Sequence, residues 1–221
     1  MRRLGRLVLL LVVVLLAVGI AAGFWSARTP PAWFKPPASD EASRERGWTV
    51  ERRLAEEFSR IRAEQPTWSL RVREEDLNLW LAERLRPWVE HRGAWPESVG
   101  RVQVRLAHGR VSLAVELKDL GSVAVLEAAP VASKEDGSVT LRWTSAGFGR
   151  LRLPWPDAGI RNAVLDRVTG GREEHAAFAE VLEGLTIPGE IDLGDGRRVS
   201  LLDAEVGDGE AILDLVTAPA D

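Results

Sequence analysis

The sequence predicts an α+β fold, in which an N-terminal transmembrane helix precedes a curved antiparallel β-sheet that is wrapped around or packed on helices. Three observations support this prediction. The nineteen residues from Leu7 to Trp25 carry no charge. Apolar residues then recur three or four positions apart in two stretches before residue 91, which is typical of helices. From Val99 onward apolar residues alternate at every second position between turn sequences, which favours hairpins over βαβ units.

The uncharged run is long enough to cross a bilayer as a helix, with Leu7, Val14, Ile20 and Trp25 spread along the anchor. Three arginines precede it, which predicts a cytoplasmic N-terminus and a periplasmic main domain on a single-pass membrane protein. Two alternatives stay open. The run is also compatible with a cleaved signal peptide, or with a helix buried in a soluble protein.

The chain divides into three parts: a stub and anchor over residues 1–25, a linker over 26–47, and an extracytoplasmic domain over 48–221. Four prolines in the linker exclude a helix there and disfavour a strand, so we expect it to space the domain from the membrane.

The domain begins with a helix predicted over residues 50–63, with Thr49 as its N-cap. A strand follows over 67–72, and then a helix over 74–90 with three acidic residues in its first turn, where a helix dipole favours them.

The remaining elements follow from local patterns. Four strands lie between residues 99 and 143; apolar residues on both faces of the third indicate that both of its faces are covered. Helices are predicted over 157–168 and 173–185. Asp-Gly turns at the end of the chain indicate closing strands.

The amino-acid composition argues against several classes of function. The net charge is −4, and residues 48–221 alone carry −8, which argues against nucleic acid or anionic headgroups as partners. The chain has no cysteine, and its three histidines lie far apart in the sequence. No nucleophile elbow or Walker motif is present. We therefore predict a protein that is not an enzyme and uses no metal or cofactor.

One helical stripe stands out, because it combines two tryptophans with three leucines. It is either part of an ordinary core or one wall of an apolar groove that the sheet completes. The predicted groove consists of Leu77, Trp80, Leu81, Leu85, Trp88, Val125 and Trp143.

Several segments resemble bacterial envelope proteins of the YpmS and YceB type, which are related to the tubular lipid-binding (TULIP-like) fold. The resemblance is carried by Leu77, Asn78 and Leu81, by a pattern from Pro130 through Asp136, Gly137, Val139 and Leu141, and by Gly149, Leu151, Leu153 and Pro154. It covers roughly residues 67–215. It implies a curved sheet around a helix with an apolar cavity. Arg73, a poor N-cap, departs from the pattern of these relatives.

Two functions follow as hypotheses. In the first, the anchored domain binds a lipid or another apolar ligand. In the second, it is an envelope interaction or assembly scaffold with a filled core and a protein partner. Membrane lipids are partners of the N-terminal helix in both. We further expect Asn78 to hydrogen-bond a neighbouring backbone group and to hold its helix to the sheet.

Overall fold

The structure is a computed structural model that describes residues 15–16, 18–38, 40–61, 67–91, 93–133, 137–154 and 186–219. We label the helical residues 15–16 and 18–28 as α1. The other helices are α2 (Glu41–Ser59), α3 (Glu74–Glu83) and α4 (Leu85–Glu90). The strands are β1 (Thr67–Arg73), β2 (Val99–Ala107), β3 (Arg110–Leu117), β4 (Ser122–Ala132), β5 (Val139–Phe148), β6 (Leu151–Pro154), β7 (Thr186–Ile187), β8 (Glu190–Asp192), β9 (Arg197–Val206) and β10 (Glu210–Pro219).

The strands form two antiparallel sheets rather than the single curved sheet that was predicted. The larger sheet has the order β2-β3-β4-β5-β6, and β7 also pairs with β5. The smaller sheet has the order β1-β10-β9-β8. It brings β1 beside β10, with Thr67 opposite Val216. The α+β class with antiparallel sheets and few helices is confirmed.

Two hairpin turns join the sheets at one end. In the β2–β3 turn, His108 and Gly109 have φ of 53° and 72°, the positive values that a tight two-residue turn requires. The Gly109 N–H donates to Val206 O at 3.1 Å, and the Gly209 N–H donates to Leu106 O at 2.8 Å. These bonds tie the tips of the β2–β3 and β9–β10 hairpins together.

Helix α2 begins at Glu41, so residues 41–47 are helical and not part of a linker. The side chain of Asp40 accepts a hydrogen bond from the Ser43 N–H at 2.7 Å and is the N-cap, in place of Thr49. Hydrogen bonds from the backbone N–H and the side chain of Ser43 lower the pKa of the Asp40 carboxyl. Val50 is buried, whereas Ile61, beyond the end of α2, is exposed.

The helix predicted over 74–90 is broken at Arg84 into α3 and α4. Pro87 explains the break, because a proline has no N–H to donate and its ring clashes with the carbonyl four residues earlier, at Glu83. Arg73 is the N-cap residue of α3 and makes no side-chain cap hydrogen bond, which agrees with the poor capping ability expected of an arginine.

The apolar residues form separate clusters around the two sheets. On the larger sheet, α3 and α4 cover Val99, Val102, Val115 and Leu117. We call this side the helix face. The smaller sheet buries a second cluster, against which α2 packs: Leu70, Val139, Val199, Leu201 and Leu215. Because Val139 belongs to β5, this cluster also lies between the two sheets.

Several predicted elements lie outside the described residues. These are the helices over 157–168 and 173–185 and the anchor residues Leu7 and Val14. Within the part of the chain that the structure describes, no helix combines the length and the apolar character needed to cross a membrane.

Candidate functional site

The five helical residues of the predicted groove lie along α3 and α4. Leu81 and Leu85 pack on the cluster of the helix face, so they belong to a filled core. Leu77 and Trp80 are half-buried. Trp88 is 40% exposed.

The two strand residues of that groove lie elsewhere. Val125 is 0% exposed, and Trp33 and Phe34 pack on its cluster from the side of the sheet opposite to α3. Trp143 is buried on β5, where it pairs with Ala128. The structure therefore does not bring Val125 together with the helical stripe.

Asn78 holds α3 to the sheet, as predicted. Its Nδ2 donates to Val104 O at 2.8 Å, and its Oδ1 accepts from the Val104 N–H at 2.7 Å. One turn earlier, Glu74 Oε2 accepts from the Leu106 N–H at 2.7 Å. Because β2 is an edge strand, these side chains occupy backbone groups that another strand would otherwise pair with.

The opposite side of the larger sheet, which we call the outer face, is covered by residues 30–37 of the predicted linker. Trp33 and Phe34 pack on Ala114, Val123 and Val125. This contact explains why β4 carries apolar residues on both faces, as the sequence predicted. We call residues 30–37 the strap.

A buried glutamine fixes the strap to the sheet. Gln103 is 6% exposed; its Oε1 accepts from the Lys35 N–H at 2.6 Å, and its Nε2 donates to Trp33 O at 3.2 Å. Both polar groups of the side chain are thus used by the strap backbone, as burial requires. The strap is therefore docked along the sheet and is not a free spacer.

The C-terminal end of α1 is bonded to the same sheet. The Ser122 hydroxyl donates to Ala27 O at 2.5 Å, and the Arg150 N–H donates to Ser26 O at 2.9 Å. Gly149, with φ of 55°, lies against these carbonyls: a Cβ built there would be 2.5 Å from the carbonyl oxygens of Ser26, Ala27 and Thr29. Only glycine fits this close approach without displacing α1.

The apolar side chains of α1 do not pack on the described part of the domain. Ile20 is 72% exposed and Trp25 is 77% exposed. Leu15, Leu16, Val18 and Phe24 are exposed in the same way. Among the described residues, the hydrogen bonds that hold α1 to the sheet lie at its C-terminal end, so its exposed apolar side chains form a contiguous apolar surface.

A groove of about 660 Å³ lies beside the strap on the outer face. Its lining includes Pro31, Ala32, Trp33, Arg105, His108, Arg110, Ser112, Glu127, Arg150 and Arg152. We call it the basic groove. Arg105 lies on β2, Arg110 on β3, Arg150 in the β5–β6 turn and Arg152 on β6.

The Glu127 carboxylate accepts hydrogen bonds from two side chains at the basic groove. Arg152 Nε donates to its Oε1 at 3.3 Å, and the Ser145 hydroxyl donates to its Oε2 at 2.8 Å. Arg110 lies 4.0 Å from the same carboxylate. At the edge of the groove, the His108 N–H donates to Asp208 Oδ1 at 3.0 Å.

A second charged pair lies on the other side of the strap. Arg101 donates from Nε to Glu116 Oε2 at 2.9 Å. This hydrogen bond is the main cause that lowers the pKa of Glu116, with a further contribution from the Arg101 backbone N–H, while burial opposes it. The same bond raises the pKa of Arg101.

Among the described residues, no group of three His, Asp or Glu side chains is arranged to hold a metal ion. His91 is exposed, His108 lies in the hairpin turn, and His175 falls outside the described residues.

Comparisons with known proteins return nothing. No family model matches the chain. No curated protein and no solved structure matches it either. The resemblance to YpmS- and YceB-type proteins therefore stays a prediction.

Sequence reasoning missed the strap and the basic groove, although both left signals. Trp33 and Phe34 are an apolar pair in an otherwise polar and proline-rich segment. Arg101, Gln103 and Arg105 alternate with the apolar residues of β2, which places them together on the opposite face. The net charge of the whole domain is negative, so it gave no indication that one face of the sheet carries a local basic surface.

Proposed function

We propose that the protein is a single-pass membrane protein whose α+β domain lies on the extracytoplasmic side and contacts membrane lipid there without catalysing a reaction. The observation that carries the proposal is the attachment of α1 to the larger sheet through Ser122 and Arg150. Because the end of α1 and the strap are both hydrogen-bonded to the larger sheet, we expect a bilayer that contains α1 to lie next to the outer face.

The sequence supports the orientation. Three arginines precede the uncharged run from Leu7 to Trp25, and the helix in the described part of this run exposes its apolar side chains. Burial of these side chains in lipid removes their apolar surface from water, which is favourable by about 25 cal/mol per Å². Trp25, and Arg28 stacked 4.2 Å above the Phe24 ring, suit the boundary between lipid and water.

The lipid contact proposed here is at the outer face and not in the predicted apolar groove. Leu81 and Leu85 are packed on the core and Val125 lies under the strap, so the seven groove residues do not line one cavity in the described part of the chain. A tubular lipid-binding fold would need a cavity on the helix face, and we retain it as the narrower form of the proposal.

The filled helix face favours a second function, that of an assembly scaffold without a ligand. Native mass spectrometry of the detergent-extracted full-length protein separates the two. Bound lipid that survives extraction supports lipid contact. A lipid-free protein that captures a defined envelope protein supports the scaffold.

The proposed placement is tested by site-directed spin labelling in nanodiscs. The chain has no cysteine, so Ser112→Cys provides a unique label on the outer face. Leu202→Cys, at an exposed position of the smaller sheet, is the matched control. We expect a nickel-chelating lipid to relax the label at 112 much more strongly than the label at 202. Equal relaxation contradicts the placement, and loss of the protein from carbonate-washed membranes contradicts the anchor itself.

A further inference from the structure

The basic groove carries more positive charge than its own acidic residues neutralise. Four arginines face one glutamate inside it, and Asp208 at the edge faces His108. Both oxygens of Glu127 already accept hydrogen bonds, from Arg152 and Ser145, and Arg110 makes only a longer ion pair of 4.0 Å with one of them. Arg105 is exposed and has no ion-pair partner among the described residues. The groove therefore has cationic groups available for an anion from outside the chain.

The position of the groove identifies the source of that anion. Arg150 lines the groove, its backbone N–H donates to Ser26 O at 2.9 Å, and its Nε donates to Pro30 O at 3.4 Å. Ser26 directly follows Trp25, at the end of the uncharged run. The headgroup layer of a bilayer is about 5–8 Å deep on each side, so Arg150 lies at its level when α1 spans the membrane.

The groove is also suited to phosphate chemistry. An arginine guanidinium is planar and always charged, and two of its N–H groups match two oxygens of a phosphate. Arg105 and Arg110 come from adjacent strands, β2 and β3, and face the open groove. Its volume of about 660 Å³ accommodates a headgroup and its phosphate.

We propose that the basic groove binds the phosphate of an anionic glycerophospholipid in the membrane that contains α1. This inference rests on the proposed function and adds the lipid chemistry and the residues. Arg105 and Arg110 contact the phosphate, while Arg152 stays paired with Glu127 and keeps the wall of the groove in place.

The test uses the full-length protein in nanodiscs of mixed phosphatidylcholine and phosphatidylglycerol. Native mass spectrometry counts the lipids of each class that stay bound after release from the nanodisc. We expect phosphatidylglycerol to be enriched, and Arg105→Gln combined with Arg110→Gln to lower the enrichment about tenfold, since each arginine near a lipid surface favours anionic lipid. Arg71→Gln with Arg198→Gln, on the smaller sheet, removes the same charge and should leave the enrichment unchanged.

Two further measurements distinguish binding of a lipid headgroup from binding of free phosphate and from contacts that do not depend on charge. In the wild-type protein, high salt should reduce the enrichment, because exposed charges are screened. Isothermal titration of the detergent-solubilised protein with inorganic phosphate tests for a soluble ligand. Tight phosphate binding in the absence of lipid, or enrichment that is the same in the groove variant as in the wild type, overturns the proposal. The anchor is judged separately, because the groove variant should stay in the membrane fraction.

Discussion

The two faces of the larger sheet are covered in different ways. On the helix face, α3 and α4 pack on a cluster of buried valines and leucines, and Asn78 joins α3 to the edge strand. On the outer face, the strap covers only a strip around Val123 and Val125, and charged side chains flank it on both sides. The helix face thus supplies packing energy, whereas the outer face determines where the domain sits relative to α1.

Because the two faces are covered differently, we expect mutations on them to have different consequences for stability. A change on the helix face should lower the free energy of unfolding of the whole domain. A change under the strap or at the end of α1 should release residues 26–37 at a smaller cost in global stability.

The largest effect is expected on the helix face, from Asn78→Leu. Asn78 is 5% exposed and satisfies both backbone groups of Val104. Its loss leaves two groups without partners, at about 1–3 kcal/mol each. We expect unfolding in urea to show a loss of about 2–5 kcal/mol. The control Glu75→Gln, at an exposed position on the same turn, should change stability by less than about 0.5 kcal/mol. Equal effects would show that Asn78 does not hold the helix.

The next largest effect is expected at the end of α1, from Gly149→Ala. The added Cβ meets three carbonyl oxygens, and alanine disfavours the positive φ at this position by about 1–2 kcal/mol. We expect α1 and the strap to undock, with faster cleavage between residues 29 and 38 by a broad-specificity protease. Gly194→Ala is the control, because its positive φ lies in an open turn where no atom is within 4 Å of the Cβ. Cleavage that rises equally in both variants would contradict the close contact at Gly149.

Trp33→Ala tests how much the contact between the strap and the outer face contributes to stability. Because Trp33 is half-buried, its removal should cost about 1–2 kcal/mol, below the ~3–5 kcal/mol of a fully buried tryptophan. Thermal unfolding measures this loss. The exposed Leu202→Ala is the control. A loss as large as that of Asn78→Leu would mean that the strap is part of the main core.

The smallest effect concerns the pH dependence of the outer face. The lowered pKa of Glu116 means that the folded state holds its proton less tightly than the unfolded chain does. The resulting stability is present above the unfolded pKa and is lost as the pH falls through the folded one. The Arg101 side chain is 60% exposed, so solvent screening limits the contribution to about 0.5 kcal/mol or less. Glu116→Gln should remove this part of the acid sensitivity in urea titrations at pH 3 to 6. If the pH dependence of stability is the same in Glu116→Gln and in the wild type, the pair of Arg101 and Glu116 does not contribute to acid sensitivity.

Local sequence patterns predicted the helices and strands better than they predicted how these elements pack together. The alternation in β2 to β5 and the role of Asn78 followed from residue types and spacing. The break at Arg84 was also readable, because Pro87 was visible inside the predicted helix. The start of α2 was missed because the Asp40 cap lies directly after the proline-rich stretch, which was taken as linker throughout.

The pairing of β1 with β10 was not predictable from a local pattern, because it joins segments separated by almost the whole domain. The same holds for the strap: its aromatic pair is visible in the sequence, but its contact with Gln103 depends on the tertiary fold. The basic groove forms only when side chains from β2, β3, β4, β6 and the β5–β6 turn lie on one face of the sheet.

Hydrogen exchange of the full-length protein in nanodiscs tests the docking of the strap and α1 most directly. The backbone N–H groups of Lys35 and Arg150 donate to Gln103 and Ser26. We expect both groups to exchange about 100-fold or more slowly than the same groups in an unstructured chain. Exchange of both at the rate of a free linker would contradict it, because the domain would then hang from a flexible tether and not lie against the membrane.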